Sequence, residues 1–280
     1  MIVRMTGASL RALLIALAVA TPSLLLPDVG ADTAQVVVLV ALVAGAFTFS
    51  EYYSQFPSIL EFRFAPPVNR LRYFTLFGMV LMLTVHFSGT ALDSPLANLL
   101  MKVASLMAQM VDFPFSPVRL VLLALPADTS VQTVNMVRDA AGIAYVGAML
   151  GLVSFAILVR VYGWPLRYNA FNVWINLPLF DPTGGGDVLT RLKRDSVVNV
   201  VLGFLLPFFA PAFVEVAGAL VDLSQIGNPH TLIWVMTIWA FVPANLIMRG
   251  VALARVADMI EEKRKRTYAE ARGEDSLQAV

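Results

Sequence analysis

Long apolar runs, separated by short segments that carry most of the charges, dominate this chain of 280 residues. Six runs are long enough for a helix that crosses a hydrocarbon core of roughly 30 Å at about 1.5 Å per residue. They are continuously apolar rather than striped, so lipid is the expected solvent for most of the chain. The pattern predicts an all-α, polytopic transmembrane helix bundle of about six spans, at residues 10–26, 34–50, 73–89, 141–159, 197–221 and 231–248.

The first run has two interpretations. It is either a signal peptide with a cleavage site near Ala18-Val19-Ala20 or a span that is retained. The run is longer than the apolar core of about 7–15 residues that signal peptides have, which favours retention. Ala12, Ala16 and Ala20 recur every four positions and predict a face for close helix packing.

Amphipathic segments are predicted on both sides of the membrane. Over residues 96–111 on the outer side, leucine, valine and methionine recur at helical spacing, and Lys102 is the only charge. A helix of this kind lies in the interface or docks on the spans. Residues 118–125 are apolar but too few to span, which predicts a re-entrant or interfacial turn. Ser130 is then placed to cap the helix that becomes the fourth span.

The loop at residues 160–196 carries the second amphipathic segment. Its asparagines recur at helical spacing, and aromatic and aliphatic residues surround them, which predicts a short interfacial helix. Uncharged amides beside aromatic rings suit protein contact. The candidate partner-docking residues are Asn169, Phe171, Asn172, Trp174 and Asn176.

The distribution of basic residues predicts the orientation. Of 20 lysines and arginines, only Lys102, Arg119 and Arg138 fall outside the segments assigned to the inner side. Because basic loops stay in the cytoplasm, both termini are expected there, with the protein in the cell's inner membrane. The expected organisation is a transmembrane domain at residues 1–260 and a charged cytoplasmic tail at residues 261–280.

Composition narrows the chemistry. Hydrophobic residues make up 58% of the chain, against about half in soluble proteins, and the mean hydropathy is +0.75. The chain has no cysteine, which excludes thiolate metal sites and disulfides. With only His86 and His230, no metal or other cofactor is predicted, and neither histidine has an acidic partner in its sequence surroundings. A hydrolytic triad is therefore not expected, nor is a nucleic-acid partner.

Residues 184–187 read Gly-Gly-Gly-Asp, which fits the GxGD string of membrane-embedded aspartyl proteases. Those enzymes need a second aspartate at another helix end, because two carboxylates must share a proton to activate water. Asp181 and Asp195 are on the same connection, and a role for Glu51 or Glu61 would depart from the pattern. The protease is a remote alternative, and a hinge followed by an Asp187 N-cap explains the same residues.

Three polar residues within or near spans are candidates for lining a path. Glu215 lies in the fifth span, where an ionisable group is costly, although it is within reach of the outer interface. Asn245 lies in the sixth span beside Pro243, and His86 is near the outer end of the third. Interhelical hydrogen bonds and helix kinks explain the same residues without transport.

Two functions follow from these patterns. The favoured one is a non-catalytic membrane subunit, scaffold or assembly factor, because small-residue packing faces are many and buried charges are few. Its partners would be the lipid bilayer and either another membrane protein or a second copy of the chain. The alternative is a small-solute or proton-linked transporter or channel with a path near Glu215 and Asn245. Transporters usually show inverted repeats, and no convincing repeat is present here.

Overall fold

The structure is a computed structural model that describes residues 2–27, 29–89, 94–165, 171–181, 185–209 and 227–278, with side chains described to residue 271. All regular structure in these ranges is helical, which confirms the all-α prediction. The α-helices are α1 (Ile2–Leu25), α2 (Ala31–Tyr53), α3 (Val68–Phe87), α4 (Pro95–Val111), α5 (Pro117–Leu123), α6 (Val131–Arg160), α7 (Val173–Asn176), α8 (Val188–Leu205) and α9 (Pro229–Gln278).

Five of the described helices are long and apolar enough to cross a membrane: α1, α2, α3, α6 and the part of α9 up to Ala271. The chain is therefore a multi-pass membrane helix bundle. The predicted span at 197–221 begins within α8, which continues as a 3-10 helix at Leu206–Phe209. Residues 210–226, which include Glu215, lie outside the described part of the chain.

Helix ends differ from the ends of the apolar runs. Helix α9 extends beyond the apolar run that ends near residue 248 and reaches Gln278, because the charged segment is rich in alanine, glutamate and arginine, which favour helix. The predicted caps are confirmed. The Ser130 side chain accepts from the Thr133 N–H, and the Asp187 side chain accepts from the Thr190 N–H.

Small residues bring the helices close together, as their spacing predicts. A Cβ built on Gly45 of α2 would lie 3.3 Å from the Ala12 carbonyl oxygen and 3.6 Å from the Ala16 Cβ of α1. Gly147 and Gly151 of α6 lie against Met79 and Thr75 of α3 in the same way. Close approach of backbones is how helices associate in lipid, where no hydrophobic force drives them together.

Helix α4 packs on the bundle through its smallest residues rather than its largest. Ala97, Ala104 and Ala108 are buried, and Ala108 lies directly against Gly142 of α6. The large apolar side chains of α4 point away from the bundle and are exposed: Leu96, Leu99, Leu106 and Met110. Of the two predicted placements, docking on the spans is therefore the one that the structure shows.

Two apolar cores are stacked along the bundle. One is built from α3, α4, α5, α6 and residues 232–244 of α9, and the other from residues 248–257 of α9 together with parts of α3, α6, α8 and the loops. The end that holds the second core also carries most of the arginines, and we term it the basic end. We term the other end, where His86 and His230 lie, the histidine end.

Candidate functional site at the basic end

Two loops at the basic end are joined into one folded unit, which we term the platform: residues 54–67, Trp164 and residues 171–181. Asn176 links them. Its backbone carbonyl accepts from the Phe62 N–H at 2.7 Å, and its Oδ1 accepts from the Phe64 N–H at 2.9 Å. The Trp164 Nε1–H donates to the Ala65 carbonyl at 3.2 Å. These bonds satisfy backbone groups that would otherwise be buried without partners.

An aromatic cluster forms the interior of the platform. The rings of Phe62 and Trp164 meet edge to face with centroids 5.7 Å apart, and Phe171 lies 6.4 Å from Phe62. Phe62 is 1% exposed and has a φ of +57°, a backbone conformation that is rare for a bulky residue. Burial of its ring and the bond to Asn176 hold it in this conformation, and such residues cluster at functional sites.

A buried ion pair connects the platform to α9. Arg249 donates from Nε and Nη2 to the two carboxylate oxygens of Glu61, at 2.7 and 2.8 Å. Glu61 is 6% exposed. Arg72 of α3 lies with its guanidinium 5.3 Å from the centre of the Phe62 ring, and its Nε and Nη2 are buried without hydrogen-bond partners. Bidentate arginine–carboxylate pairs give geometric specificity, so Glu61 fixes how the loop sits on α9.

A second polar cluster surrounds the end of α2. The Glu51 carboxylate accepts from the Ser58 hydroxyl and from the N–H groups of Ser58, Ile59 and Leu60, at 3.0–3.3 Å for the N–H groups. Arg63 donates to the backbone carbonyls of Glu51 and Ser54, which are free acceptors at the helix end. Burial lowers the pKa of Arg63, and the positive charge of Arg4 lowers it further.

Ion pairs fix the direction in which α9 leaves the bundle. Glu261 of α9 accepts from Lys193 of α8 at 2.6 Å, and Arg264 lies 2.9 Å from Asp187. The hydrogen bond from Arg264 lowers the pKa of Asp187, which also caps α8. The N-cap interpretation of Asp187 is thus confirmed, whereas the protease alternative stays a prediction.

The predicted docking residues do not form one face of a helix. Helix α7 begins only at Val173, and the Asn172 side chain caps it by accepting from the Trp174 N–H. Asn176 is 3% exposed and used internally, so it offers nothing to a partner. Trp174 is 62% exposed, and Phe171 is partly buried in the aromatic cluster. Asn169 lies outside the described residues.

Of the predicted path residues, Asn245 and His86 are not brought together, and Glu215 lies outside the described residues. Asn245 lies in α9, one turn before Arg249, and its Oδ1 is buried without a hydrogen-bond partner. His86 lies at the histidine end, where its Nε2 is 3.2 Å from Asp139 Oδ2 of α6. The fold thus gives His86 an acidic neighbour that its sequence surroundings do not contain. Asp139 is distant in sequence, and only the antiparallel packing of α3 and α6 reveals it.

Cavities at the histidine end adjoin both histidines. One, of about 570 Å³, is lined by His86, Asp139, Asn135, Gln132 and neighbouring apolar residues. The other, of about 280 Å³, is lined by His230, whose Nε2 is 3.0 Å from the Ser23 hydroxyl. Among the described residues no cluster of three or more metal-ligating side chains occurs.

The sequence did not reveal the roles of four residues at the basic end: Glu61 and Trp164 in the platform, Arg72 in α3 and Arg249 in α9. Two signals were present. Glu61 and Arg72 flank the Pro66-Pro67 pair, and Arg249 follows an apolar run directly, where an arginine needs a partner. No family model, curated protein or solved structure matches the chain.

Proposed function

We propose that the protein is a non-catalytic membrane subunit, scaffold or assembly factor that presents the platform and the projecting part of α9 to a protein partner. In this proposal the basic end faces the cytoplasm from the inner membrane, since basic residues favour that side. The bundle anchors and orients the docking surface and performs no chemistry.

The exposed end of α9 is the observation that carries the proposal. Every described side chain from residue 262 to residue 271 is exposed, including Tyr268 at 67%. This segment is continuous with the helix that passes through both apolar cores, and its base is tied to α8 by ion pairs. A helix that is polar all round gains nothing from packing on its own chain, which is typical of a helix that bridges to another molecule.

Trp174 supplies an anchor of the kind that partners use. Its side chain is 62% exposed, although the neighbouring Asn176 is buried in the platform. Tryptophan, tyrosine and arginine dominate binding energy at protein interfaces, with costs of about 2 kcal/mol or more when a hot-spot residue is truncated.

Partner recovery in a mild detergent tests this proposal. We expect the double substitution Trp174→Ala with Tyr268→Ala to reduce recovery of a co-purifying protein at least tenfold, while the thermal stability of the chain stays the same. Phe74→Ala with Phe204→Ala removes two aromatic side chains that are equally exposed, at 65% and 62%, but lie on membrane helices. This control should keep the partner. Equal recovery from both variants would refute docking at the platform.

Transport is the second candidate, favoured by unpaired polar atoms along α9. The Thr237 hydroxyl and the Asn245 Oδ1 are buried without hydrogen-bond partners. Asn245 lies one turn from Arg249 on nearly the same side of α9, and Thr237 lies about two turns further on, rotated by about 80° from Asn245. An unsatisfied buried polar group costs about 1–3 kcal/mol, so its presence is consistent with transient binding of water or a solute.

Flux through reconstituted vesicles distinguishes the two candidates. If α9 lines a path, Asn245→Leu should abolish proton or solute flux without lowering thermal stability, and Glu215→Gln should do the same if that residue contributes. If the protein is a scaffold, vesicles that contain the wild-type chain should leak no faster than empty ones.

A further inference from the structure

We infer that the loop at residues 54–64, together with Arg4 and Arg11 of α1, forms a binding site for the headgroup of an anionic phospholipid. The inference does not depend on a protein partner, because it concerns the part of the platform beside α1 and α2 and uses neither Trp174 nor the projecting part of α9.

Three guanidinium groups converge at this site. Arg4 and Arg63 both donate to the Ser54 carbonyl oxygen, so their charges lie close together. The guanidinium carbons of Arg11 and Arg63 lie 4.7 and 6.0 Å from the centre of the same Tyr52 ring. None of the three forms an ion pair with an acidic side chain of the described residues.

The Glu51 carboxylate, which lies near Arg63, is already occupied. Glu51 accepts from one hydroxyl and three backbone N–H groups of the loop. It therefore offsets only part of the positive charge, and the repulsion between Arg4 and Arg63 remains. An anion with several oxygens, placed among the three arginines, would offset this repulsion. It would also accept hydrogen bonds from the guanidinium N–H groups that do not donate to backbone carbonyls.

Apolar side chains around the arginines identify the anion as a lipid headgroup. Phe56, Ile59 and Phe64 project from the same loop and are 72%, 55% and 48% exposed. The site lies at the ends of two helices that are apolar enough to span a membrane, so these side chains can enter the acyl layer while the arginines stay at phosphate depth. A soluble phosphate would contact only the arginines. A phospholipid would contact the arginines through its headgroup and the exposed apolar side chains through its acyl chains.

Lipid retention by the purified full-length chain tests the inference. We would add phosphatidylglycerol, phosphatidylcholine or soluble glycerol 3-phosphate to the protein in mild detergent, and measure bound lipid by native mass spectrometry and the melting temperature in parallel. Phosphatidylglycerol should bind and raise the melting temperature, and the other two should not. Each basic residue near an anionic surface contributes about 1 kcal/mol, so Arg4→Gln with Arg11→Gln should weaken phosphatidylglycerol binding roughly 30-fold.

Arg70→Gln with Lys263→Gln removes the same charge from exposed positions at the basic end and should change binding less than about twofold. Arg11→Gln alone removes a bond within α1, to the Gly7 carbonyl, and the contact with the Tyr52 ring, and it should weaken binding about fivefold even if the double variant is unstable. The inference fails if both double variants lose lipid equally, if the two phospholipids bind alike, or if glycerol 3-phosphate has the same effect as phosphatidylglycerol.

Discussion

Asn176 and Trp174 are close in sequence but have different surroundings, and substitutions should separate their roles. Asn176→Ala removes a buried amide that accepts from the Phe64 N–H and donates to the Asn172 carbonyl, so we expect a loss of about 1–3 kcal/mol in the free energy of unfolding. Trp174→Ala removes an exposed ring and should change stability by less than about 0.5 kcal/mol. Thermal unfolding in detergent measures both. A larger loss of stability for Trp174→Ala than for Asn176→Ala would contradict the internal role of Asn176 in the platform.

Single residues were predictable where their role is local. Ser130 and Asp187 cap helices as expected, because a cap depends only on the next three residues of the chain. Asn176 was expected on an open face and is instead internal, since its partners lie more than a hundred positions away in the loop at residues 54–67. The Glu61–Arg249 pair was missed for the same reason.

At the scale of elements, the crossing of α8 and α9 depends on a glycine. A Cβ on Gly203 would lie 2.5 Å from the Pro243 carbonyl oxygen and 2.7 Å from Ile247 Cγ1. The backbone of α9 cannot move aside as a flexible side chain can. Gly203→Ala should therefore force the two helices apart and lower the free energy of unfolding by about 1–3 kcal/mol.

Gly78 of α3 is the matched control for this prediction. A Cβ there meets nothing within 4 Å, so Gly78→Ala should be neutral or should stabilise the helix by up to about 1 kcal/mol. The two alanine variants can be compared by the same melting experiment. Similar melting temperatures would mean that α8 and α9 can separate at little cost.

The existence of the helices follows from the sequence more securely than their faces do. Apolar runs identify α1, α2, α3 and α6 because a membrane-crossing helix needs length and apolarity, and both can be counted. Which face of α4 packs against the bundle could not be predicted from length and apolarity. In lipid, large apolar side chains have no preference for the protein interior, so the alanine face that permits close approach to α6 is the one that is buried.

At the scale of the whole molecule, charges are separated between the two ends. Arg119 and Arg138 are two of the three basic residues that the predicted topology places outside, and both pair with Asp112, at 2.8 and 2.9 Å. Asp112 thus offsets one of their two charges within the fold. At the basic end several arginines keep an uncompensated charge, which supports the proposed cytoplasmic orientation of that end.

Reporter fusions test the topology that follows from this separation. A reporter placed after Asn228, just before α9, should be read on the outer side of the membrane, and one placed after Gly273 should be read in the cytoplasm. The physical reason is that α9 begins beside the histidine end, crosses both apolar cores and emerges among the basic residues. Reporter fluorescence and enzymatic activity, measured in the same cells, assign each side.

Fusions within the connections of the other helices provide the control for orientation. A reporter inserted after Asp128, in the connection before α6, should agree with the one after Asn228, because both positions adjoin the histidine end. Disagreement between these two sites would mean that the chain crosses the membrane an odd number of times between them. The predicted topology, with two crossings between these sites, would then be wrong. Agreement on the cytoplasmic side would instead reverse the whole bundle, and the platform could then not meet a cytoplasmic partner.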